Sequence, residues 1–374
     1  MPGLGFHFTG RVWILTFGLV LAGTEARASV ERTVRHLFLT PAGHAAADVN
    51  ADGRASAADV LGKILGGINP TEDGPYGTGF DRLDFVKASE TNPREQRRLR
   101  TSVWYPAPPG TFPNDVNPGG QPRAPFAEGL QALPVVLFSH GSCGFERQSI
   151  FLVRRLATWG FIVAAPPHPG NTTSDFLTCS TPATLADSFV NRPEDIRFVL
   201  DRLLELNQDP TSFLYQRIDP ARVSMSGHSF GGLTTLRVLA RDPRFVAGLA
   251  LAPVTRTIRE EVQQIRRPVM IQVGVLDPLL ADARSGFAWL EPPKMLVELE
   301  RTTHSPFSDF CLECTPETLS PEEVHWYVLR YAVPFLLAYG AADHRFDRFL
   351  EPAATPAGAN YDLVWSSPPI EARD

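Results

Sequence analysis

The chain has 374 residues, of which 43% are hydrophobic and 20% are charged, and its formal net charge is -6. This apolar fraction can bury a core, so the composition excludes a mainly disordered chain. The acidic balance gives no basic surface of the kind that binds nucleic acid. The length indicates one large domain or two unequal ones.

Residues 1–28 have the pattern of a secretory signal peptide. Arg11 precedes an apolar run, Val12 to Gly23, and Ala26-Arg27-Ala28 supplies a small-x-small cleavage site. The run is too short to span a bilayer. The pattern therefore predicts an exported protein, secreted or periplasmic, with no stable membrane anchor; the alternative is a buried N-terminal helix.

Residues 29–68 contain a calcium-loop pattern at positions 48–59. The expected oxygen ligands are the side chains of Asp48, Asn50, Asp52 and Asp59 and the carbonyl of Arg54. Gly53 falls where such a loop turns sharply, and an amphipathic helix pattern follows. The loop resembles a dockerin repeat, which implies structural Ca²⁺ and a cohesin-type partner, although dockerins carry two repeats and this segment has one. The alternative is a polar turn without metal.

Residues 69–79 are predicted to be a linker, residues 80–345 an alternating strand and helix domain, and residues 346–374 a Pro- and Ala-rich tail. The expected strands are 80–87, 98–105, 133–139, 161–165, 222–226, 245–250, 269–273 and 294–299. Helices are expected at 149–158, around 196–203, at 233–240 and from Ser320 to about Tyr339. This alternation predicts an α/β fold with a mostly parallel sheet and helices on both faces.

The run Gly227-His228-Ser229-Phe230-Gly231-Gly232 follows one of these strands and precedes a helix. It is a G-x-S-x-G nucleophile elbow in the required context, so Ser229 is the expected nucleophile. A serine hydroxyl needs a base, and the base needs an orienting acid. After strand 269–273 comes Asp277, and after strand 294–299 comes His304, in the expected chain order of acid and base. Asp282 is the weaker substitute for the acid.

Hydrolysis of an acyl group also needs donors for the oxyanion. The amide of Phe230, directly after the nucleophile, is one expected donor. The other should come from the loop Ser139-His140-Gly141-Ser142-Cys143-Gly144, with Ser142 favoured and Cys143 next. His140 is interpreted as a structural hydrogen-bonding residue of this loop.

Export would permit disulfides, and the chain has four cysteines, Cys143, Cys179, Cys311 and Cys314. Cys143 and Cys179 fall in loops that open onto the same sheet edge, and Cys311 and Cys314 are three residues apart. We therefore expect the pairs Cys143–Cys179 and Cys311–Cys314, with the two cross pairings as alternatives. Cys311 and Cys314 could also be half a zinc site, but no second Cys or His pair accompanies them.

Over roughly residues 80–340 these motifs resemble the α/β-hydrolase fold. The segments 140–144, 167–171 and 227–232 are similar to bacterial predicted dienelactone hydrolases, to platelet-activating factor acetylhydrolases and, more distantly, to cutinases. Dienelactone hydrolases use a cysteine where this chain has Ser229, and plasma-type acetylhydrolases place the acid where it has Ala252. The resemblance implies a serine esterase or lipase that needs no catalytic cofactor and takes its acid from Asp277, as cutinases do.

The expected substrate is a small-molecule or polymer ester: a lipid, a short-chain ester or a polyester. Two other functions remain open at this point. One is a surface-attached binding protein whose hydrolase domain is inert, and the other is a peptidase that uses the same three residues.

Overall fold

The computed structural model describes residues 69–112, 118–352 and 356–364. The chain divides into two units, residues 1–72 and residues 73–374. Of the first unit only residues 69–72 are described, so the signal-peptide pattern and the calcium loop lie outside the described residues.

Ten strands of the described residues form one sheet. They are β1 (Gly77–Ala88), β2 (Gln96–Ala107), β3 (Gln121–Pro122), β4 (Leu133–Ser139), β5 (Ile162–Ala165), β6 (Ile218–His228), β7 (Phe245–Leu251), β8 (Val269–Gly274), β9 (Lys294–Leu299) and β10 (Ala359–Val364). Their order across the sheet is β10-β9-β8-β7-β6-β4-β5-β2-β1-β3. The six strands β4 to β9 run parallel to one another. At the two margins of this parallel part, β2 pairs antiparallel with β5 and β10 pairs antiparallel with β9.

The parallel strands are short apolar runs because both of their faces are covered. All seven residues of β4 are buried, and so are all six of β8. In contrast, the first half of β2 alternates between exposed and buried positions, as expected where one face of a strand meets water. The apolar pattern therefore predicted the centre of the sheet more directly than its margin.

Helices separate the parallel strands along the chain and cover both faces of the sheet. They are α1 (Ile150–Thr158), α2 (Pro182–Leu206), α3 (Phe230–Arg241), α4 (Arg259–Val262), α5 (Leu280–Trp289) and α6 (Pro321–Phe335). The predicted α/β architecture, a mostly parallel sheet between helices, is confirmed. The parallel arrangement places the carboxyl ends of β4, β6, β8 and β9 along one edge, where catalytic loops of such sheets collect.

The last helix starts where the sequence predicts. The Ser320 side chain accepts a hydrogen bond from the Glu323 amide, and the Glu323 carboxylate accepts one from the Ser320 amide, which is a complete capping box. The helix ends as an α-helix at Phe335, earlier than the expected Tyr339, and continues as a π turn, Leu336–Gly340. Pro334 lies at this change and supplies no amide donor to the helix.

Two segments expected to be irregular contain strands. β1 begins at Gly77, inside the expected linker, and the amides of Gly74 and Tyr76 bond to Thr158 at the end of α1. In the expected tail, residues 359–364 form β10 and pair with β9 along its whole length. This pairing lies at the margin of the sheet. The apolar and polar residues of 359–363 alternate as in a strand, but the run is short and follows a Pro- and Ala-rich stretch, so the sequence signal is weak.

Candidate active site

Ser229 occupies a strained turn between β6 and α3. Its backbone angles are φ 58° and ψ -117°, a left-handed φ that is uncommon for a residue with a Cβ. Its amide donates a hydrogen bond of 2.8 Å to the Leu251 carbonyl on the neighbouring strand β7. These constraints hold Ser229 at the carboxyl end of β6, as a nucleophile elbow requires.

The glycines of the elbow permit a close crossing of backbones. A Cβ on Gly231 would lie 1.9 Å from the Ser139 carbonyl oxygen, and one on Gly227 would lie 2.4 Å from the Gly231 carbonyl oxygen. Neither position can carry a side chain without moving the backbone. The two glycines therefore bring the start of α3 against the end of β4, where the Ser139–Gly144 loop begins.

Asp277 and His304 form a hydrogen-bonded pair. The His304 Nδ1 donates to Asp277 Oδ2 over 2.8 Å, and the other Asp277 oxygen accepts from the Leu279 amide over 2.7 Å. Asp277 is buried after β8, whereas the side chain of His304 is 24% exposed in the loop after β9. With its Nδ1 proton committed to the carboxylate, His304 presents Nε2 as the atom that can accept a proton.

Asp282, the substitute considered for the acid, is engaged elsewhere. Its carboxylate accepts hydrogen bonds from the amides of Thr255 and Arg256 and pairs with the Arg256 guanidinium at 2.7 Å. These contacts anchor the loop after β7 to α5. Asp277 is therefore the carboxylate that the structure pairs with His304.

The expected nucleophile and the expected base both lie next to His228. The rings of His228, which precedes Ser229, and His304 lie with their centroids 4.7 Å apart. Among the described residues, the Ser229 hydroxyl has no hydrogen bond to His304 within 3.5 Å. Hydrogen bonds between catalytic groups are often long before a substrate binds, and the sequence-predicted residues do converge on one edge of the sheet.

The two expected oxyanion donors face this edge from different elements. Phe230 is the first residue of α3, so its amide has no acceptor within the helix and lies at the positive end of the helix dipole. Ser142 lies in a turn closed by a bond of 3.2 Å from the Gly144 amide to the Gly141 carbonyl, with Cys143 at φ 57°. The Ser142 hydroxyl accepts a hydrogen bond from Asn171 over 3.0 Å.

The loop Ser139–Gly144, which carries the expected donor Ser142, is called the oxyanion loop. It is contacted by two buried polar residues that the motifs do not single out. Gln148 accepts the Gly141 amide proton through Oε1, and Arg192 from α2 donates to the carbonyls of His140 and Gly141. Neither residue belongs to a motif, and each is distant in sequence from some of its partners. The sequence offered only a weak signal for them, which is that each is a polar or charged residue inside a helical or turn segment. Such a residue usually indicates an exposed position, so it does not predict a buried contact.

His140 and His168 belong to a buried hydrogen-bond network below the same loop. The His168 amide donates to His140 Nε2, and His168 Nδ1 donates to Asp195, which also forms a two-point ion pair with Arg97. The interpretation of His140 as a structural hydrogen-bonding residue agrees with these contacts. Burial lowers the pKa of His140, His168 and His228 well below the usual range, so all three are neutral at pH 7.

Two disulfides flank the site, Cys143–Cys179 and Cys311–Cys314, which is the pairing favoured from the sequence. The first joins the oxyanion loop to the loop after β5, and the Thr173 amide and hydroxyl bond to the carbonyls of Gly144 and Cys143. The second closes the loop after His304, where Glu313 accepts the Ser305 amide proton over 3.2 Å. Because both Cys311 and Cys314 are oxidised here, they are not half of a zinc site.

The proposed calcium ligands Asp48, Asn50, Asp52, Arg54 and Asp59 lie outside the described residues. Within the described residues no three His, Cys, Asp or Glu side chains are grouped so that they could hold a metal ion. Over that same part of the chain, no helix is both long and apolar enough to cross a membrane.

Comparison with known proteins gives a family and several relatives. The family model described as PET hydrolase-like matches residues 131–362. The chain is 27% identical over 222 residues to Cutinase 2 of Thermobifida cellulosilytica, covering 58% of this chain and 72% of that protein. It is equally similar to Cutinase cut1 of Thermobifida fusca, of which it covers 59%. It is 24% identical over 216 residues to the platelet-activating factor acetylhydrolase of Cavia porcellus, covering 47% of this chain and 48% of that protein.

The three neutral buried histidines predict that the protein loses stability in mild acid. Their pKa is lowered in the folded state, so the unfolded chain binds more protons below its own histidine pKa of about 6.5. The free energy of unfolding should therefore fall as the pH drops below about 6.5, by up to about 1.4 kcal/mol per pH unit for each histidine. Urea unfolding at pH 7.0 and 5.5 measures this slope.

The matched variants for this test are His168→Gln and His344→Gln. His168 is fully buried and His344 has an exposed side chain. The first variant should flatten the pH slope by one histidine, and the second measures the effect of replacing a histidine at the surface. Equal slopes in the wild type and both variants would contradict the assignment of this pH dependence to the buried imidazoles.

The Cys143–Cys179 disulfide should matter for turnover beyond its contribution to folding. Replacing both residues with serine removes the covalent link between the oxyanion loop and the loop at 171–179. We therefore expect at least a tenfold loss of ester turnover in protein that circular dichroism shows to be folded. Peptide mapping without reductant should first recover the two disulfides. Four free thiols, or full turnover in the double variant, would count against this role.

Proposed function

The chain belongs to the PET hydrolase-like family of carboxylic ester hydrolases, and we propose that it is an exported serine esterase with Ser229 as nucleophile, His304 as base and Asp277 as orienting acid. The observation that carries this proposal is the hydrogen bond from His304 to the buried Asp277 carboxylate, beside a serine held at a left-handed φ. Each of the three residues follows a different parallel strand, at the same edge of the sheet. This arrangement supports our proposal that the three residues have the roles of a serine hydrolase triad.

In the acylation step, Ser229 Oγ attacks the ester carbonyl carbon while His304 Nε2 takes the hydroxyl proton. The carbonyl electron pair moves to oxygen, and the amides of Phe230 and Ser142 donate hydrogen bonds to the resulting oxyanion. Asp277 stabilises the protonated imidazole. When the intermediate collapses, the bond to the leaving oxygen breaks and His304 returns the proton to it, which leaves an acyl group on Ser229.

In the second step a water molecule attacks the acyl-enzyme carbonyl and His304 Nε2 takes the water's proton. The same two amides stabilise the second oxyanion. Collapse breaks the bond to Ser229 Oγ, and His304 returns the proton to that oxygen. The cycle releases an acid and an alcohol and needs no cofactor, since every proton that leaves one group is accepted by another.

Exposed apolar side chains support a lipid-like or polyester-like substrate. Among the described residues, six large apolar side chains are at least 48% exposed, and one of them, Val86, lies on β1. The other five lie in the loops that carry the site: Phe176, Leu177, Leu276, Phe310 and Leu312. Phe310 packs on Phe145 of the oxyanion loop region, and Leu276 directly precedes the acid. Exposed apolar groups that cluster on one part of a surface are typical of a region that binds an apolar partner. We propose that they contact the acyl chain or the apolar units of the ester.

Export is proposed from the signal-peptide pattern of residues 1–28 and is supported by the two disulfides near the site. Structural Ca²⁺ is proposed for the dockerin-like loop at 48–59 from its spacing of oxygen ligands. A cohesin-type partner for this segment belongs to the same proposal.

The triad is tested by replacing its nucleophile. Ser229→Ala should lower the hydrolysis of p-nitrophenyl esters by several orders of magnitude, because the three residues act as a unit. The rate should also fall in acid, since only the neutral imidazole of His304 accepts the proton. Near-normal hydrolysis by Ser229→Ala would disprove the mechanism, with Ser212→Ala, outside the site, as the control.

Related assays separate the other functions. A fluorophosphonate should label the wild type and not Ser229→Ala, whereas an inert binding domain would react in neither form. Matched ester and amide substrates should show faster hydrolysis of the ester, and equal rates would favour a peptidase. A series of p-nitrophenyl esters from acetate to palmitate identifies the preferred acyl length.

Calcium is expected to bind residues 48–59 without contributing to chemistry. Asp48, Asp52 and Asp59 would repel one another without a cation, and none of the proposed ligands belongs to the triad or the oxyanion donors. Calorimetric titration should show one site that is lost in Asp52→Ala. Chelation should leave ester turnover within about twofold, a small effect where a tenfold change corresponds to about 1.4 kcal/mol. A large loss of turnover on chelation would contradict this separation.

A further inference from the structure

We propose that Arg192 and Gln148 are positioning residues of the oxyanion hole, which fix the two peptide groups around Gly141 so that the Ser142 amide is presented to the ester oxygen. This inference rests on the proposed function, because it assigns how one of the two oxyanion donors is held. It concerns residues outside the triad that would not touch the substrate.

The carbonyl side of the loop is bound by Arg192. Its Nη1 donates to the His140 carbonyl at 2.5 Å and its Nη2 to the Gly141 carbonyl at 3.1 Å, and His140 Nδ1 also donates to the Gly141 carbonyl at 2.7 Å. The Gly141 carbonyl and the Ser142 amide belong to one planar trans peptide, in which C=O and N–H point in opposite directions. Holding that carbonyl against the buried guanidinium therefore turns the Ser142 amide away from it.

The amide side of Gly141 is bound by Gln148. Its Oε1 accepts the Gly141 amide proton at 3.0 Å, so that amide is already committed and Ser142 is the next donor in the loop. Its Nε2 donates to His228 Nδ1 at 3.1 Å, and His228 Nε2 donates to the His304 carbonyl at 3.1 Å. Gln148 thus connects the oxyanion loop through His228 to the backbone of the proposed base.

Arg192 also contacts the Phe230 ring and is linked through Asn171 to the side chain of Ser142. Its guanidinium lies over the Phe230 ring, 4.8 Å from the centroid. It donates to Asn171, whose amide nitrogen donates to the Ser142 hydroxyl. One buried cation is therefore shared by the two residues whose amides would bind the oxyanion. An arginine that served packing alone would not need this set of partners.

Arg237 provides a matched control. It is also a buried arginine that stacks on a phenylalanine, Phe189, and donates to that residue's backbone carbonyl. Its other partner is Glu261 in α4, and its contacts do not include the oxyanion loop. Replacing it tests the cost of losing a buried guanidinium without disturbing Gly141.

The experiment compares Arg192→Met, Arg192→Lys, Gln148→Met and Arg237→Met. Each is assayed for kcat and KM on a p-nitrophenyl ester, for inhibition by a trifluoromethyl ketone that forms a tetrahedral adduct, and for Tm. One oxyanion donor contributes about 10²- to 10³-fold to kcat. Arg192→Met and Gln148→Met should lower kcat by at least tenfold and weaken inhibition by a similar factor, with KM within about threefold.

Arg192→Lys should retain part of the activity, since a single ammonium cannot reproduce the two-point contact with adjacent carbonyls. Arg237→Met should lower Tm and leave kcat within about threefold.

If Arg192→Met does not fold, Arg192→Lys and Gln148→Met decide the matter, because both should show the kcat loss without a rise in KM. Unchanged kcat in the folded variants, or an equal loss in Arg237→Met, would overturn the inference. Absence of ester hydrolysis in the wild type would instead refute the proposed function.

Discussion

The crossing of α3 over the end of β4 is the constraint on which the site depends. Gly231 lies so close to the Ser139 carbonyl that a methyl group cannot enter. This contact fixes the start of α3, and with it Phe230, against the first residue of the oxyanion loop. Ser229, the proposed nucleophile, directly precedes Phe230 and is held in a left-handed backbone conformation whose cost the surrounding sheet must offset. Backbone packing therefore determines where Ser229 and Phe230 lie, and the positions of their side chains depend on it.

Below this crossing lies an unusual concentration of buried charge. Arg97 and Asp195 form a two-point pair with both side chains almost fully buried, and His168 adds a hydrogen bond to the same carboxylate. Arg192, which is also buried, has no carboxylate within 4 Å among the described residues, and it donates to the carbonyl oxygens of His140 and Gly141 and to the side-chain oxygen of Asn171. Burial lowers the pKa of Arg192 to about 9, so it is still cationic at pH 7. A buried cation beside the loop favours negative charge nearby, which is the charge that develops during ester hydrolysis.

The sequence predicted the parts of the site that depend on local patterns and on chain order. The elbow around Ser229 is a contiguous motif. Asp277 and His304 were proposed because each follows an apolar strand whose end had to lie at the same sheet edge, and the structure joins these two side chains by a hydrogen bond. The capping box at Ser320 was likewise a local signal. Gln148 and Arg192 were missed because their partners are brought close only by the folded sheet. β10 was missed because its alternation of apolar and polar residues is only five residues long and follows a Pro- and Ala-rich stretch. An edge strand this short is identified mainly by the strand with which it pairs.

The position of β10 determines what would happen if residues 359–364 were removed from the protein. It covers the outer edge of β9, and the loop that carries His304 begins directly after β9. Without residues 359–364, the amides and carbonyls along one side of β9 would lose their partners and become a template for a strand from another molecule. Pairing with residues 359–364 therefore keeps this edge of β9 from joining another molecule. A protein without those residues would be expected to aggregate through the exposed edge, close to the proposed base His304.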